Sequence, residues 1–267
     1  MKHIFVIGVG LIGGSLALDL KRLNPEVTVY GMDNNPAHLA EAISLKIIDK
    51  KAEFADLKHA DLVILSIPVD ASVNTIIQIL DVISDNTLVV DVGSTKLDIC
   101  KVVSEHPKRR NFLAMHPIAG TEFSGPKAAI HGLFKNKTNI ICEVEKTAFK
   151  LQEKALKLFE SIGMRIRYMN PESHDKHIAY VSHLSHISSF MLGKTVIEKE
   201  KNELIKKYLS VFEDMSISSA YSTRNMSWFC EEHDRRGGVV CFVCRTFVKA
   251  NNMLPKKTFI VESIKQS

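Results

Sequence analysis

Gly8, Gly10 and Gly13 sit in the run HIFVIGVGLIGG over residues 3–14, spaced to hold a pyrophosphate. A β-branched run stops at Gly8, as a buried strand does when it turns sharply into a helix. Gly8 permits the tight turn, Gly10 has no Cβ to keep a phosphate from the backbone, and Gly13 lets helix and strand pack closely. Leu11 and Ile12 then occupy the first helical turn, where free N–H groups and the positive dipole end face the ligand. Val27 to Tyr30 reads as a second strand delivering Asp33, twenty residues after Gly13. A carboxylate there accepts both hydroxyls of an adenosine ribose and repels a 2′-phosphate, which points to NAD rather than NADP. The competing reading is a glycine-rich turn that binds no dinucleotide; strand, turn, helix and acidic residue in register favour the cofactor site.

Other residues fall at strand ends, where parallel sheets gather their ligands. Ser66, Ile67 and Pro68 end one apolar run, and Asp91-Val92-Gly93-Ser94 ends another. His116 heads the run His116-Pro117-Ile118-Ala119-Gly120, where Pro and the small Ala119 and Gly120 admit a ligand. An imidazole with an ordinary pKa near 6.5 can take a hydroxyl proton at neutral pH. On position alone His116 suits either a general base or a hydrogen bond to its own loop.

No metal is expected. His174, His177, His183 and His186 lie on one helical stretch, but at about 100° per residue the first two face nearly opposite the last two. They cannot ligate one ion from that helix alone, and a histidine pair facing a ligand cleft is the better reading. Cys230-x-x-His233 and Cys241-x-x-Cys244 are separated by a seven-residue loop, shorter than common zinc-finger spacings.

These residues need a scaffold. Strand and helix patterns alternate through residue 168: a helix capped by Asn35 with Pro36 at its first position, a strand at 61–66, a helix at 70–83, and strands at 87–91, 112–115, 139–142 and 165–168, with a helix over 146–162. Such alternation predicts an α/β fold with a mostly parallel, doubly wound sheet. From Asn170-Pro171 the pattern becomes one long helix, which puts a domain boundary near residue 169 and an all-α domain after it.

The composition sets outer limits. With 267 residues, 45% hydrophobic and 24% charged, the chain can bury a proper core. A net charge of +5 suits small anions, while Lys108-Arg109-Arg110 and Lys206-Lys207 lack the interleaved aromatics of a nucleic-acid surface. The glycine-cut N-terminus is unlike a signal peptide, and no apolar run reaches membrane-spanning length. Five cysteines without framework spacing fit reduced thiols in a cytoplasm.

Four ordered motifs then carry a resemblance: GVGLIGGSLA at 8–17, DVGSTK at 91–96, HPIAGTEFSG at 116–125 and HDKHIAYVSHLSH at 174–186. Together they resemble the prephenate dehydrogenase family from residue 1 to about 203, although many members have Pro where this chain has Ser185. The resemblance implies an NAD-binding Rossmann domain over 1–169 and a helical substrate and dimerisation domain over 170–267. It implies oxidative decarboxylation of prephenate, or of its amino counterpart arogenate, in tyrosine biosynthesis. By motif, His116 is the implied base and Ser94 the hydroxyl beside it. His183, His186, Gly120 and Thr121 are implied on the substrate side. Gly8, Gly10, Leu11, Ile12, Gly13, Asp33, Ser66, Ile67 and Pro68 are implied around NAD. A homodimer is implied if the helical domain is intact; from the composition and the extent of the patterns, no nucleic-acid or membrane partner and no second catalytic domain such as a mutase is expected.

After about residue 204 the family's amphipathic helices should continue, bearing an arginine for a substrate carboxylate. The chain instead reads ISSAYSTRNMSWFCEEHDRRGGVVCFVC with no sustained helical period, and Arg224, Arg235, Arg236 and Arg245 match no such motif. Either the domain end is divergent or the reading frame is altered, and the compositional break favours the second. The expectation is an intact cofactor half joined to a compromised substrate half, which leaves open a catalytically impaired NAD-binding relative.

Overall fold

A computed structural model describes residues 1–121 and 123–183, without the side chains of Ser182 and His183. Met1–Asp175 forms one compact unit that takes in the first part of the last described α-helix, and Lys176 opens a second. The strands are β1 (His3–Ile7), β2 (Thr28–Met32), β3 (Lys50–Lys51), β4 (Leu62–Leu65), β5 (Leu88–Asp91), β6 (Phe112–Pro117), β7 (Thr138–Cys142) and β8 (Arg165–Met169). The helices are α1 (Leu11–Leu23), α2 (Pro36–Ser44), α3 (Val69–Val82), α4 (Leu97–Val102), α5 (Phe149–Ile162) and α6 (Pro171–Ile178).

The strands form one eight-stranded sheet in the order β3-β2-β1-β4-β5-β6-β7-β8. All neighbours pair in parallel except β6 and β7. The order reverses direction at β1, so the crevice between the carboxyl ends of β1 and β4 is the switch point where ligands bind. This is the doubly wound α/β architecture that the alternation of patterns predicts.

The strands are apolar at nearly every position because both faces are covered. Ile4, Val6, Leu62, Ile64, Leu88, Val90, Leu113 and Met115 join one buried cluster with residues of α1 and α5. The alternate residues Phe5, Ile7, Val63, Leu65, Val89, Phe112 and Ala114 join a second cluster with residues of α3 and α4. A one-residue slip of any central strand would exchange these two sets.

Two features differ from the sequence expectation. α4 has only six residues, too few for a visible apolar period, and Lys96 at its N-cap makes no side-chain cap. Its first N–H groups bond instead to Asp175, far along the chain. The long helix expected from residue 170 is α6 followed by a π-helical turn, Ala179–His183, and its continuation lies outside the described residues. So do the Cys230–Cys244 segment and the anomalous tail. Among the described residues no helix is long and apolar enough to cross a membrane.

Candidate active site

The glycine turn is held from below by Ser66. Its hydroxyl donates to the carbonyl of Gly8 at 2.5 Å and lies 3.2 Å from that of Ile7. Gly8 takes φ +90°, and a Cβ there would lie 2.3 Å from the Ser66 carbonyl oxygen. A Cβ at Gly13 would lie 2.1 Å from Ser66 Oγ and 2.2 Å from the Gly8 oxygen. The sequence therefore makes this turn from glycine twice for steric reasons, and Ser66 serves it by bonding the backbone. Ile67 is half-buried against the α3 side of the core, and exposed Pro68 stands at the N-cap of α3.

Gly10 differs from the other two. A Cβ there would have no atom within 4 Å, so the space over the turn is open. Gly10 is the N-cap of α1 and supplies no side-chain cap, which leaves the first-turn N–H groups at half-buried Leu11 and Ile12 aimed at that space. Asp33 borders it from the end of β2: one carboxylate oxygen accepts from Val9 N at 3.1 Å and the other from Asn35 N at 2.9 Å. His38 Nδ1 lies 3.4 Å from the same carboxylate. Open backbone donors beside an anchored carboxylate fit a diphosphate followed by a ribose diol.

On the same sheet edge, β6 presents half-buried His116. Its Nδ1 lies 2.9 Å from Nε2 of His174, and the two rings meet at 73°. His174 is fully buried, and its Nδ1 lies 2.7 Å from Asp175 Oδ1. That oxygen also accepts from Lys96 N at 2.7 Å, and Asp175 Oδ2 accepts from Leu97 N at 2.9 Å. Three side chains thus connect the N-terminus of α4 to the end of β6. The sequence shows His174 only as one of four histidines on a helical stretch, not as the partner of His116. The contact joins residues 58 apart, which no local period can reveal. Among the described residues no group of three or more His, Cys, Asp or Glu could hold a metal.

The loop after β5 is pinned from inside. Lys96 is wholly buried and its ammonium pairs with the buried Asp91 carboxylate while donating to the Met115 carbonyl at 2.9 Å. Burial pushes the Asp91 carboxyl above the ordinary carboxylate value, and the Lys96 charge pulls it back. The Asp91 carboxylate also accepts from Gly93 N at 3.1 Å. Asp91 and Lys96 thereby fix both ends of the loop that exposes Ser94. The same ammonium ties that loop to β6 one residue before His116.

Gly120 and Thr121 are exposed in the loop after β6, and Thr121 Oγ1 accepts from Phe123 N at 3.3 Å. The rest of this loop is anchored to α1, where Ser15 Oγ accepts from Ile130 N and buried Asp19 accepts from Gly132 N. His183 ends the π-helical turn, but its side chain lies outside the described residues, as does His186 altogether. Gly8, Gly10, Leu11, Ile12, Gly13, Asp33 and Ser66 thus sit around the β1–β4 crevice. His116 and the Ser94 loop are farther along the same edge.

Comparison with known proteins gives this edge its context. Residues 16–168 match the family model for the nucleotide-binding domain of prephenate dehydrogenase, and residues 170–225 match that for its dimerization domain. The second match runs past the compositional break near residue 204. The chain is 31% identical to the cyclohexadienyl dehydrogenase of Zymomonas mobilis over 78% of its own length and 72% of that protein. It is 31% identical to the prephenate dehydrogenase of Lactococcus lactis, over 81% of this chain, and spans only 60% of that enzyme. Among solved structures, prephenate dehydrogenase from Aquifex aeolicus in complex with hydroxyphenyl propionate and NAD+ superposes with a TM-score of 0.69. Identity is 26%, covering 95% of this chain and 96% of that one.

Proposed function

The chain belongs to the prephenate dehydrogenase family, and from that premise we propose that it catalyses NAD-dependent oxidative decarboxylation of prephenate. The products are 4-hydroxyphenylpyruvate, CO₂ and NADH. The carrying observation is His116, half-buried at the end of β6 and bonded to His174, on the sheet edge that also bears the glycine turn and Asp33. When bound, NAD+ supplies the hydride acceptor.

The remaining work belongs to this chain's residues. The open backbone at Gly10, Leu11 and Ile12 binds the diphosphate, and Asp33 takes the ribose hydroxyls. His116 accepts the proton of the ring hydroxyl as hydride leaves the same carbon. Ser94, on the loop that Lys96 and Asp91 fix, hydrogen-bonds that hydroxyl or His116. Once that carbon is a carbonyl, the ring carboxylate leaves with aromatisation, so positioning and one proton acceptor suffice. Gly120, Thr121, His183 and His186 complete the substrate side. Residues 1–169 act as the cofactor domain and 170–267 as the substrate and dimer domain, and the dimerization-domain match supports a homodimer. The buried free thiols of Cys100 and Cys142 suit a reducing cytoplasm.

The test is NADH formation at 340 nm with prephenate and, in parallel, arogenate. Turnover of prephenate supports the proposal, and turnover of arogenate alone reassigns the substrate. Silence with both, in protein that binds NAD, replaces it with an NAD-binding relative whose substrate half is broken.

A further inference from the structure

We propose that His174 and Asp175 are positioning residues that fix His116 as its Nδ1–H tautomer, leaving Nε2 to accept the substrate proton. This rests on the reading of His116 as the base. The backbone N–H groups of Lys96 and Leu97 can only donate, and both donate to the Asp175 carboxylate. Asp175 is therefore the acceptor toward its third neighbour, so the proton between it and His174 sits on His174 Nδ1. A neutral imidazole with a proton on Nδ1 has its lone pair on Nε2. That lone pair faces His116 Nδ1 at 2.9 Å, so His116 donates there. His116 then carries its own lone pair on Nε2.

The order of these bonds settles which nitrogen does the chemistry. Proton abstraction makes His116 an imidazolium, and the Nδ1–H bond it already holds strengthens as that charge appears. The buried Asp175 carboxylate, two bonds away, supplies the opposite charge. This is the logic by which a buried carboxylate orients a catalytic imidazole in hydrolase triads, here with a second histidine interposed. The arrangement also ties the base to the Ser94 loop, because the same carboxylate holds the first N–H groups of α4 directly after that loop.

The experiment uses the full chain labelled with ¹⁵N-histidine and long-range ¹H–¹⁵N correlation near pH 8, without substrate. The expected spectrum shows His116 and His174 both protonated on Nδ1 with a bare Nε2. His116 protonated on Nε2 with a bare Nδ1 would overturn the proposal, as would a doubly protonated His174. In kinetics, His174→Phe removes the acceptor and should lower kcat about 10²-fold with the KM for NAD unchanged. His174→Gln, whose side-chain carbonyl can take the same proton, should recover at least about tenfold of that. His174→Phe within about threefold of the parent refutes the positioning role. So does a His174→Gln variant that binds NAD yet is no faster than His174→Phe. Should His174→Phe fail to fold, the spectrum and His174→Gln still decide. Failure of the base reading looks different: His116→Asn would keep its rate while the tautomer spectrum stood.

Discussion

Replacing Lys96 with Met probes the pin beneath the site. The ammonium is wholly buried, paired with an Asp91 carboxylate that is only 1% exposed, and bonded to the Met115 carbonyl. Removing one partner of a buried ion pair strands the other charge, at a cost of about 3–5 kcal/mol. The lost bond to Met115 adds about 1 kcal/mol. The total rivals the 5–15 kcal/mol that holds a typical domain together. The pH dependence has a definite sign. Burial already raises the Asp91 carboxyl, and loss of Lys96 removes what pulls it back. The folded variant then holds a proton that the unfolded chain releases near pH 3.9, so its stability falls as pH rises above that value. Urea titrations followed by far-UV circular dichroism should show a midpoint lowered by more than about 1 M, with a larger deficit at pH 8 than at pH 5. The double variant Asp91→Asn/Lys96→Met removes the stranded charge and should regain about 2 kcal/mol or more. A single variant within about 1 kcal/mol of the parent, or a deficit indifferent to pH, would refute the reasoning.

Three further outcomes are expected. His116→Asn should leave NAD affinity intact, measured by calorimetry, and lower turnover at least about 10²-fold, the scale of a lost general base; a near-normal rate removes His116 from that role. Asp33→Ser should narrow the preference for NAD over NADP in the ratio of kcat/KM values, and unchanged discrimination counts against the ribose contact. Burial would raise the Glu143 carboxyl, but hydrogen bonds from Lys146 at 2.7 Å and Arg109 at 3.0 Å outweigh it and hold it below the ordinary value. Its contribution is complete above about pH 4.3 and is lost as pH falls through the lower folded value. Glu143→Gln should therefore cost about 1–2 kcal/mol at pH 7 and nothing once both states are protonated, as pH-resolved urea titrations will show.

What the sequence reveals and what it hides divide along one physical line. Features written in contiguous residues are legible: the apolar runs of β1, β4 and β5, the glycine spacing, and the Asn35-Pro36 start of α2. Asn35 accepts from Ala37 N as a cap should, and Pro36 holds the first helical position. Each is a local rule obeyed locally. α4 was not legible because its N-terminal N–H groups are satisfied by Asp175, which lies 79 residues from Lys96 in sequence. Ser66 lies at the crevice as its strand-end position suggests, but the bond from its hydroxyl to the backbone of the turn above it, a contact 58 residues long, has no local signature.

The site shows the same division more sharply. His116 is legible as a candidate because a strand end and a run of small residues announce it. His174 is not, because helical periodicity asks only which residues share a face of one helix. By that test His174 groups with His177 and away from His183 and His186, which argues against four-histidine ligation from one helix and says nothing of β6. What places His174 against His116 is the packing of α6 at the edge where α4 begins, and the evidence for it is energetic rather than periodic. A fully buried imidazole needs partners for both nitrogens. Asp175 supplies one and His116 the other, both at hydrogen-bonding distance. Asp175 in turn needs donors, and the uncapped start of α4 has them to give. From Leu97 through Asp175 and His174 to His116 each polar group is satisfied by the next, so the orientation of the His116 imidazole follows from closing the hydrogen-bond account of a six-residue helix.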